Sequence, residues 1–304
     1  MSCCTRCSDW ISTIAAINHV ASLQSQNLQK LMDLHNVETY LRPTDLKEVR
    51  NWQPGWAWLG GGTWMFSEPQ PHINTLVDMQ GLEWSELEVT PSGLTIGATC
   101  VMNRLLQFSY PERWTAVKAL QSAVHELASF KVQNVATVAG NLSLALPAGT
   151  FAPVMVAIDA SYEILPLEGT PYWVSALDFQ TGARQTMLKP GDVLRKIWIP
   201  QANLEWRVNY QRICVATAGL AVSIVVALHN PQTSQVRFGI GACVPAPRLL
   251  EFAHVPSTTE LAEALDAQIS LTDFLDDGSA SAVYRRHLTQ VLMGRSLQEA
   301  IKES

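Results

Sequence analysis

The sequence predicts an α+β protein, and three observations carry that expectation. Segments with strand character and segments with helical periodicity come mixed along the chain, not in strict alternation, which favours α+β over a doubly wound sheet. The 304 residues are 47 % apolar and 16 % charged. That is the balance of a well-buried globular chain with material for two or three packed units. The longest apolar run, residues 219–228, is rich in β-branched side chains and far too short to span a bilayer, so it reads as a buried strand.

Taken in order, residues 1–37 read as an N-terminal helical extension, because Ile11, Ile14 and Ala15, then Leu28, Leu31 and Met32, recur at helical spacing. Cys3, Cys4 and Cys7 crowd its tip, but no fourth ligand lies near enough for a tetrahedral metal site, and a disordered tip is the simpler reading. From Thr39 the pattern changes to an extended 40–43, after which Thr44 is expected to cap a short helix carrying Leu46, Val49 and Trp52. Strands are expected over 56–59, 74–79 and 94–97, the last preceded by the turn Thr90-Pro91-Ser92-Gly93. Helices are expected over 101–108 and 117–130, the second with Val117, Leu120, Val124 and Leu127 as one apolar stripe and His125 on its solvated side. An apolar segment at 154–158 follows Pro147 and Pro153, and strand character returns at 162–165 and 193–199.

A boundary near Asn203 divides residues 38–202 from a C-terminal unit, 203–304. That unit holds the strand at 219–228, a turn at Asn230-Pro231 and a strand at 236–240. Ser257 and Glu260 have capping-box spacing ahead of a helix over 258–267, and a last helix over 281–301 carries Tyr284, Leu288, Val291 and Leu292.

Charge and motifs narrow the chemistry. A net charge of −6 argues against nucleic acid as a partner. The six cysteines imply no disulfide framework, and residues 11–17 are too short and broken for a secretory signal, so a cytoplasmic chain without a membrane span is expected. No phosphate-binding G-x-x-x-x-G-K-[ST] and no G-x-S-x-G elbow occurs, and the seven histidines show no metal-binding spacing. Gly239-Ile240-Gly241 starts like a dinucleotide fingerprint, but Val244 takes the third glycine's place, so a strand and turn fit it better. What stands out is Leu59-Gly60-Gly61-Gly62-Thr63-Trp64 after the apolar 56–59. Consecutive glycines let backbone N–H groups approach a ligand, and clustered N–H groups bind anions. Alone the loop reads equally as a tight turn. About 75 residues later comes a second small-residue stretch, Thr137-Val138-Ala139-Gly140-Asn141, and two such loops can hold a diphosphate from both sides. A chain with anion cradles but no acid–base or metal constellation points to a cofactor as the source of the chemistry.

LGGGTWM (59–65), LTIGATCVMNRL (94–105) and VATVAGNLSLALPAGTFAPVMVAIDA (135–160) resemble the FAD-binding subunit of the molybdenum hydroxylases, the xanthine dehydrogenase and carbon monoxide dehydrogenase relatives. That family's pattern is A-G-G-T, then I-G-A-x-T, then T-I-G-G-N followed by S-P-x-x-D-x-x-P. GIGACVPAPRL (239–249) and SASAVYRRHLTQVLMGRSL (279–297) resemble its C-terminal domain, so the likeness covers roughly residues 39–301.

The resemblance implies a two-lobed FAD-binding domain of the molybdopterin-dehydrogenase flavoprotein type, with a C-terminal α+β domain beside it. By position, Gly60, Gly61, Gly62 and Thr63 cradle the FAD diphosphate, flanked by Leu59 and Trp64. Thr137, Val138, Ala139, Gly140 and Asn141 meet the diphosphate and ribityl chain from the other lobe. Ala98, Thr99 and the backbone at Leu194 lie near the flavin. Thr150 stands where an aspartate binds the cofactor's sugar portion, Ala139 replaces a glycine, and Trp64 replaces an acidic or small polar residue. A lysine that some relatives place near the flavin has no clean match, and Gln211 or Arg212 comes nearest. Trp56, Trp58 and Trp84 are expected to serve packing.

The implied role is electron transfer. A molybdopterin-binding large subunit oxidises the substrate, a [2Fe-2S] small subunit relays electrons, and FAD here passes them to NAD⁺, a quinone or another acceptor. Two alternatives remain: a non-catalytic scaffold that has lost FAD, motivated by Thr150, and a stand-alone flavoenzyme of a related fold.

Overall fold

The computed structural model describes residues 34–127, 129–216 and 219–302, so the expected N-terminal helices and Cys3, Cys4 and Cys7 lie outside the described residues. Three larger sheets and one two-stranded hairpin organise the described residues. The first is parallel, in the order Thr39–Leu41, Thr75–Asp78, Trp56–Leu59, and its middle strand is buried throughout. The short helix after its first strand differs from expectation. Its cap is Asp45, not Thr44: the Asp45 carboxylate accepts from Lys47 N at 2.9 Å, and Glu48 reaches back to Asp45 N at 3.0 Å. The resulting turn, Leu46–Val49, is a 3₁₀ helix that stops short of Trp52. Trp52 stacks instead against Trp56 and Trp58, with ring centroids 5.6 and 4.8 Å away.

The second sheet is antiparallel, in the order Leu87–Thr90, Gly93–Gly97, Val193–Pro200, Ser161–Leu165, Tyr172–Ser175. The expected turn at Thr90 joins its first two strands. Two helix expectations contract. The helix over 101–108 is reduced to Arg104–Gln107, and the one over 117–130 ends at His125. The extended backbone of Ser129 (φ −75°, ψ 159°) interrupts the chain there before a separate turn, Phe130–Gln133. The apolar run at 154–158 belongs to a helix, Ala152–Ala157, with Pro153 in its first turn, where a missing N–H costs nothing.

The third sheet is an antiparallel meander of Arg207–Cys214, Ala221–His229, Val236–Gly241 and Arg248–Phe252. Every residue of Ala221–His229 is buried. Its side chains divide with the two-residue period of a strand: Ile224, Val226 and Leu228 enter the core shared with the second sheet, while Val225 and Ala227 join a second core. Helices Thr258–Gln268 and Ala282–Lys302 cover that second core, the former with the expected Ser257/Glu260 capping box. On the opposite face lies Ala152–Ala157, so close that a Cβ on Gly239 would sit 1.9 Å from the Pro153 carbonyl oxygen. Arg285 of the last helix is 2 % exposed, donating to Val222 O (2.7 Å), Ala242 O (3.1 Å) and both Asp277 carboxylate oxygens (2.8 Å). No helix among the described residues is long and apolar enough to cross a membrane.

Candidate functional site

The strand Trp56–Leu59 delivers the glycine loop to the place where all three sheets meet. There a cleft of about 990 Å³ opens, at the upper end of the usual range for small-molecule sites. Gly61 lies against the chain that leads into the second stretch: a Cβ at this position would be 1.9 Å from Val135 O and 3.0 Å from Ala136 Cα. Gly62 has φ +70°, a conformation that favours glycine. Among the described residues, the amides of Gly61, Gly62 and Thr63 donate to no backbone or side-chain acceptor, so they are available to an anion.

The second stretch is not a loop. Thr137 caps the helix Val138–Leu144, its hydroxyl accepting from Gly140 N at 3.0 Å. Glycine is needed at 140 because a Cβ would lie 2.7 Å from that hydroxyl. The segment is held from behind, where Val138 N donates to Cys100 O at 3.2 Å and Met102 N donates to Ala136 O at 2.9 Å. Burial pushes the Cys100 thiol up to about 11, so it stays a neutral packing group.

Of the expected site residues, the structure brings twelve together around the cleft: Leu59, Gly60, Gly61, Gly62, Thr63 and Trp64 on one side, and Thr137, Ala139, Gly140, Asn141, Thr150 and Leu194 on the other. Three do not line it. Ala98, Thr99 and Val138 are buried behind the wall, where Ala98 N donates to Arg195 O and Thr99 N to Trp84 O. Ala98 and Thr99 tie the end of the strand Gly93–Gly97 to its neighbours, and Val138 anchors the start of its helix to Cys100 O. Trp58 also departs from expectation. It forms part of the cleft wall, its indole N–H donating to Gly191 O at 3.0 Å.

Four buried polar atoms of cleft residues lack a partner: Trp64 Nε1, Asn141 Oδ1, Thr150 Oγ1 and Arg212 Nε. Unpaired buried polar atoms are costly, and the residues that carry these four all line one cavity, which suits a polar ligand. Two arginines reach the cleft, and the sequence alone marked only one of them. Arg212, not Gln211, lines it, with its side chain 11 % exposed and bonded to Glu126 (3.2 Å) and Gly219 O (2.5 Å). Arg184 comes from the tip of the hairpin Gln180–Gly182/Gln185–Thr186, and no local sequence signal predicts its arrival. His125, expected on a solvated face, is exposed at the rim. Among the described residues, no three His, Cys, Asp or Glu side chains gather as a metal site.

A cleft with a glycine cradle of free amides on one wall, a capped small-residue helix on the other and orphaned polar atoms between them defines a nucleotide-cofactor-binding protein. The chain belongs to the family of FAD-binding domains in molybdopterin dehydrogenases, whose family model matches residues 16–202. FAD is the cofactor of that domain, and the free amides and orphaned atoms fit such a group. Among curated proteins, the chain is 26 % identical over 188 residues to the nicotine 6-hydroxylase medium subunit of Paenarthrobacter nicotinovorans, covering 60 % of this chain and 66 % of that one. It is 25 % identical to the carbon monoxide dehydrogenase medium chain of Afipia carboxidovorans (57 % of this chain, 63 % of that). It is also 25 % identical to the xanthine dehydrogenase/oxidase of Gallus gallus, where the match spans 52 % of this chain but only 13 % of the relative. Among solved structures, a Cu,Mo-CO dehydrogenase chain superposes with TM-score 0.74 at 18 % identity, covering 87 % of this chain and 98 % of that one. The quinoline 2-oxidoreductase of Pseudomonas putida 86 gives 0.71 at 20 % identity, covering 86 % and 96 %. The shared α+β fold extends through the C-terminal sheet and helices.

Proposed function

We propose that this chain is the FAD-binding electron-transfer subunit of a molybdenum-containing hydroxylase or dehydrogenase. It takes electrons from the iron–sulfur clusters of a [2Fe-2S] small subunit, fed by a molybdopterin-binding large subunit, and delivers them to an external acceptor such as NAD⁺ or a quinone. The observation that carries the reading is the junction of the two walls: residues with free amides, Gly61, Gly62 and Thr63, line one cleft together with Thr137, Ala139, Gly140 and Asn141, and four of the cleft's residues carry an orphaned polar atom. Several relatives are named as medium subunits or chains of larger enzymes, among them the glyceraldehyde dehydrogenase medium chain of Sulfolobus acidocaldarius (22 % identical over 230 residues), which supports a heteromeric assembly.

Bound FAD supplies the redox chemistry, accepting and releasing electrons. The chain's own part is to bind and to orient. The free amides of the glycine loop neutralise the diphosphate through backbone dipoles. Asn141 and Thr150, whose side-chain oxygens are unpaired in the protein, would accept from hydroxyls of the ribityl and sugar portions, Thr150 by hydrogen bonding alone, without the charge of an aspartate. Leu59, Leu194 and Trp58 supply apolar wall that excludes water.

The test is a visible absorption spectrum of the purified chain, followed by acid release of any flavin. Two oxidised-flavin bands with FAD released are expected. A chain that stays colourless with added FAD would overturn the reading in favour of a scaffold.

A further inference from the structure

Arg184 is the second residue of the two-residue turn that joins the strands Gln180–Gly182 and Gln185–Thr186. Its φ is +57°, in the left-handed region that side chains other than glycine seldom occupy. The conformation is held by a bond from Arg184 N to Ala145 O at 2.8 Å, and Ala145, the C-cap of helix Val138–Leu144, is itself left-handed at φ +51°. Gln180 Nε2 donates to the same carbonyl at 3.1 Å, pinning the hairpin to the helix end. The two bonds fix the turn against the helix end, and with it the point from which the Arg184 side chain departs.

The side chain then lies over the Trp64 indole, 5.5 Å from its centroid, on the cleft wall beside the glycine loop. Its one carboxylate partner among the described residues, Glu68, is 3.5 Å away, and both side chains are about half exposed. Such a pair is weak and easily exchanged. Beneath the guanidinium, Trp64 Nε1 is buried with no acceptor. The other cleft arginine, Arg212, is already committed to Glu126 and Gly219 O.

We propose that Arg184 and Trp64 form the anion clamp of this cleft: as the cofactor arrives, the Arg184 guanidinium leaves Glu68 and grips the FAD diphosphate, while Trp64 Nε1 gains the acceptor it lacks. This rests on the FAD reading and adds to it a binding pair outside the glycine loop. The diphosphate is the only anionic part of FAD, and the guanidinium fork matches phosphate oxygens better than a single carboxylate contact does. Trp64 provides the aromatic face that holds the cation in place before the anion binds. Glu68 acts as a place-holder that the cofactor displaces.

The experiment is a fluorescence titration of the full-length chain with FAD, riboflavin and ADP, at two salt concentrations. Arg184→Ala is expected to weaken FAD and ADP roughly 10- to 100-fold, the scale of a lost charge-assisted hydrogen bond, and to flatten the salt dependence. Riboflavin, which has no phosphate, is expected to bind as before. Glu68→Gln removes the competing carboxylate and is expected to tighten FAD roughly 2- to 5-fold, an effect that no loss of folding produces. Arg184→Lys, with charge but no fork, is expected to fall between wild type and Arg184→Ala. Equal loss of riboflavin and FAD in Arg184→Ala, or no tightening in Glu68→Gln, would overturn the clamp while leaving the FAD reading intact. A wild-type chain that binds neither FAD nor ADP would overturn both.

Discussion

Replacing Gly61 by alanine tests the junction on which the cleft depends. The new Cβ would lie 1.9 Å from Val135 O, 2.7 Å from Val135 C and 3.0 Å from Ala136 Cα, all backbone atoms that no rotamer change can move. A carbon–oxygen contact needs about 3.3 Å, so one backbone must retreat by about 1.4 Å. The φ of Gly61 is not in the left-handed region, so the effect is purely spatial. Overpacking of this kind costs about 1–3 kcal/mol. If the free protein absorbs the strain, its Tm falls; if the walls part to relieve it, FAD affinity falls by roughly 5- to 100-fold. Differential scanning calorimetry and a flavin titration on the same preparation capture both routes. Gly278→Ala is the control, since a Cβ at that position would meet nothing within 4 Å. An unchanged Tm together with unchanged FAD affinity in Gly61→Ala would refute the reasoning.

Three further outcomes are expected. Gly239→Ala drives a Cβ to 1.9 Å from Pro153 O, forcing the helix Ala152–Ala157 off the third sheet; urea titration should show about 1–3 kcal/mol lost, and a neutral result would contradict that packing. Arg285→Ala leaves Val222 O and Ala242 O without their buried donor and should cost about 3–5 kcal/mol, read as a drop in the urea midpoint. The Glu260 carboxyl is pulled down to about 2, first by the Ser257 amide, then by the Ser257 hydroxyl and His254. Because the folded value lies below the unfolded one, its contribution is complete above the ordinary glutamate range and disappears as pH falls through about 2. A carboxyl-carbon NMR titration with a midpoint above pH 4 would contradict it.

Much of the fold was legible because local chemistry and tertiary structure agree. The strand Trp56–Leu59, the glycine loop after it and the Ser257/Glu260 cap all fall where composition places them. Residues 137–141 read as a loop because alanine-glycine-asparagine looks like a turn. The Thr137 hydroxyl and the bridge to Cys100 O supply the cap and anchor that make it helical, and neither partner is visible locally. Ala152–Ala157 hid its helical nature because all six residues are buried, which erases the amphipathic period. Ala98 and Thr99, which family likeness places near the flavin, are buried behind the cleft wall, with their amides bonded to Arg195 O and Trp84 O. Arg184 was invisible for a different reason. It is brought to Trp64 by a hairpin about 120 residues further on, in a backbone conformation that no propensity would assign to arginine.

The strand Ala221–His229 is a party wall: one set of its side chains belongs to the room that holds the cleft, the other to the room beneath the last helix. Neither room can be roofed without it. A fragment ending near residue 202 would expose the apolar side that Ile224, Val226 and Leu228 now cover, and the C-terminal piece alone would present those same residues to water. The two halves are therefore expected to unfold in one transition, and the strand that carries Arg212 pairs directly with that shared wall.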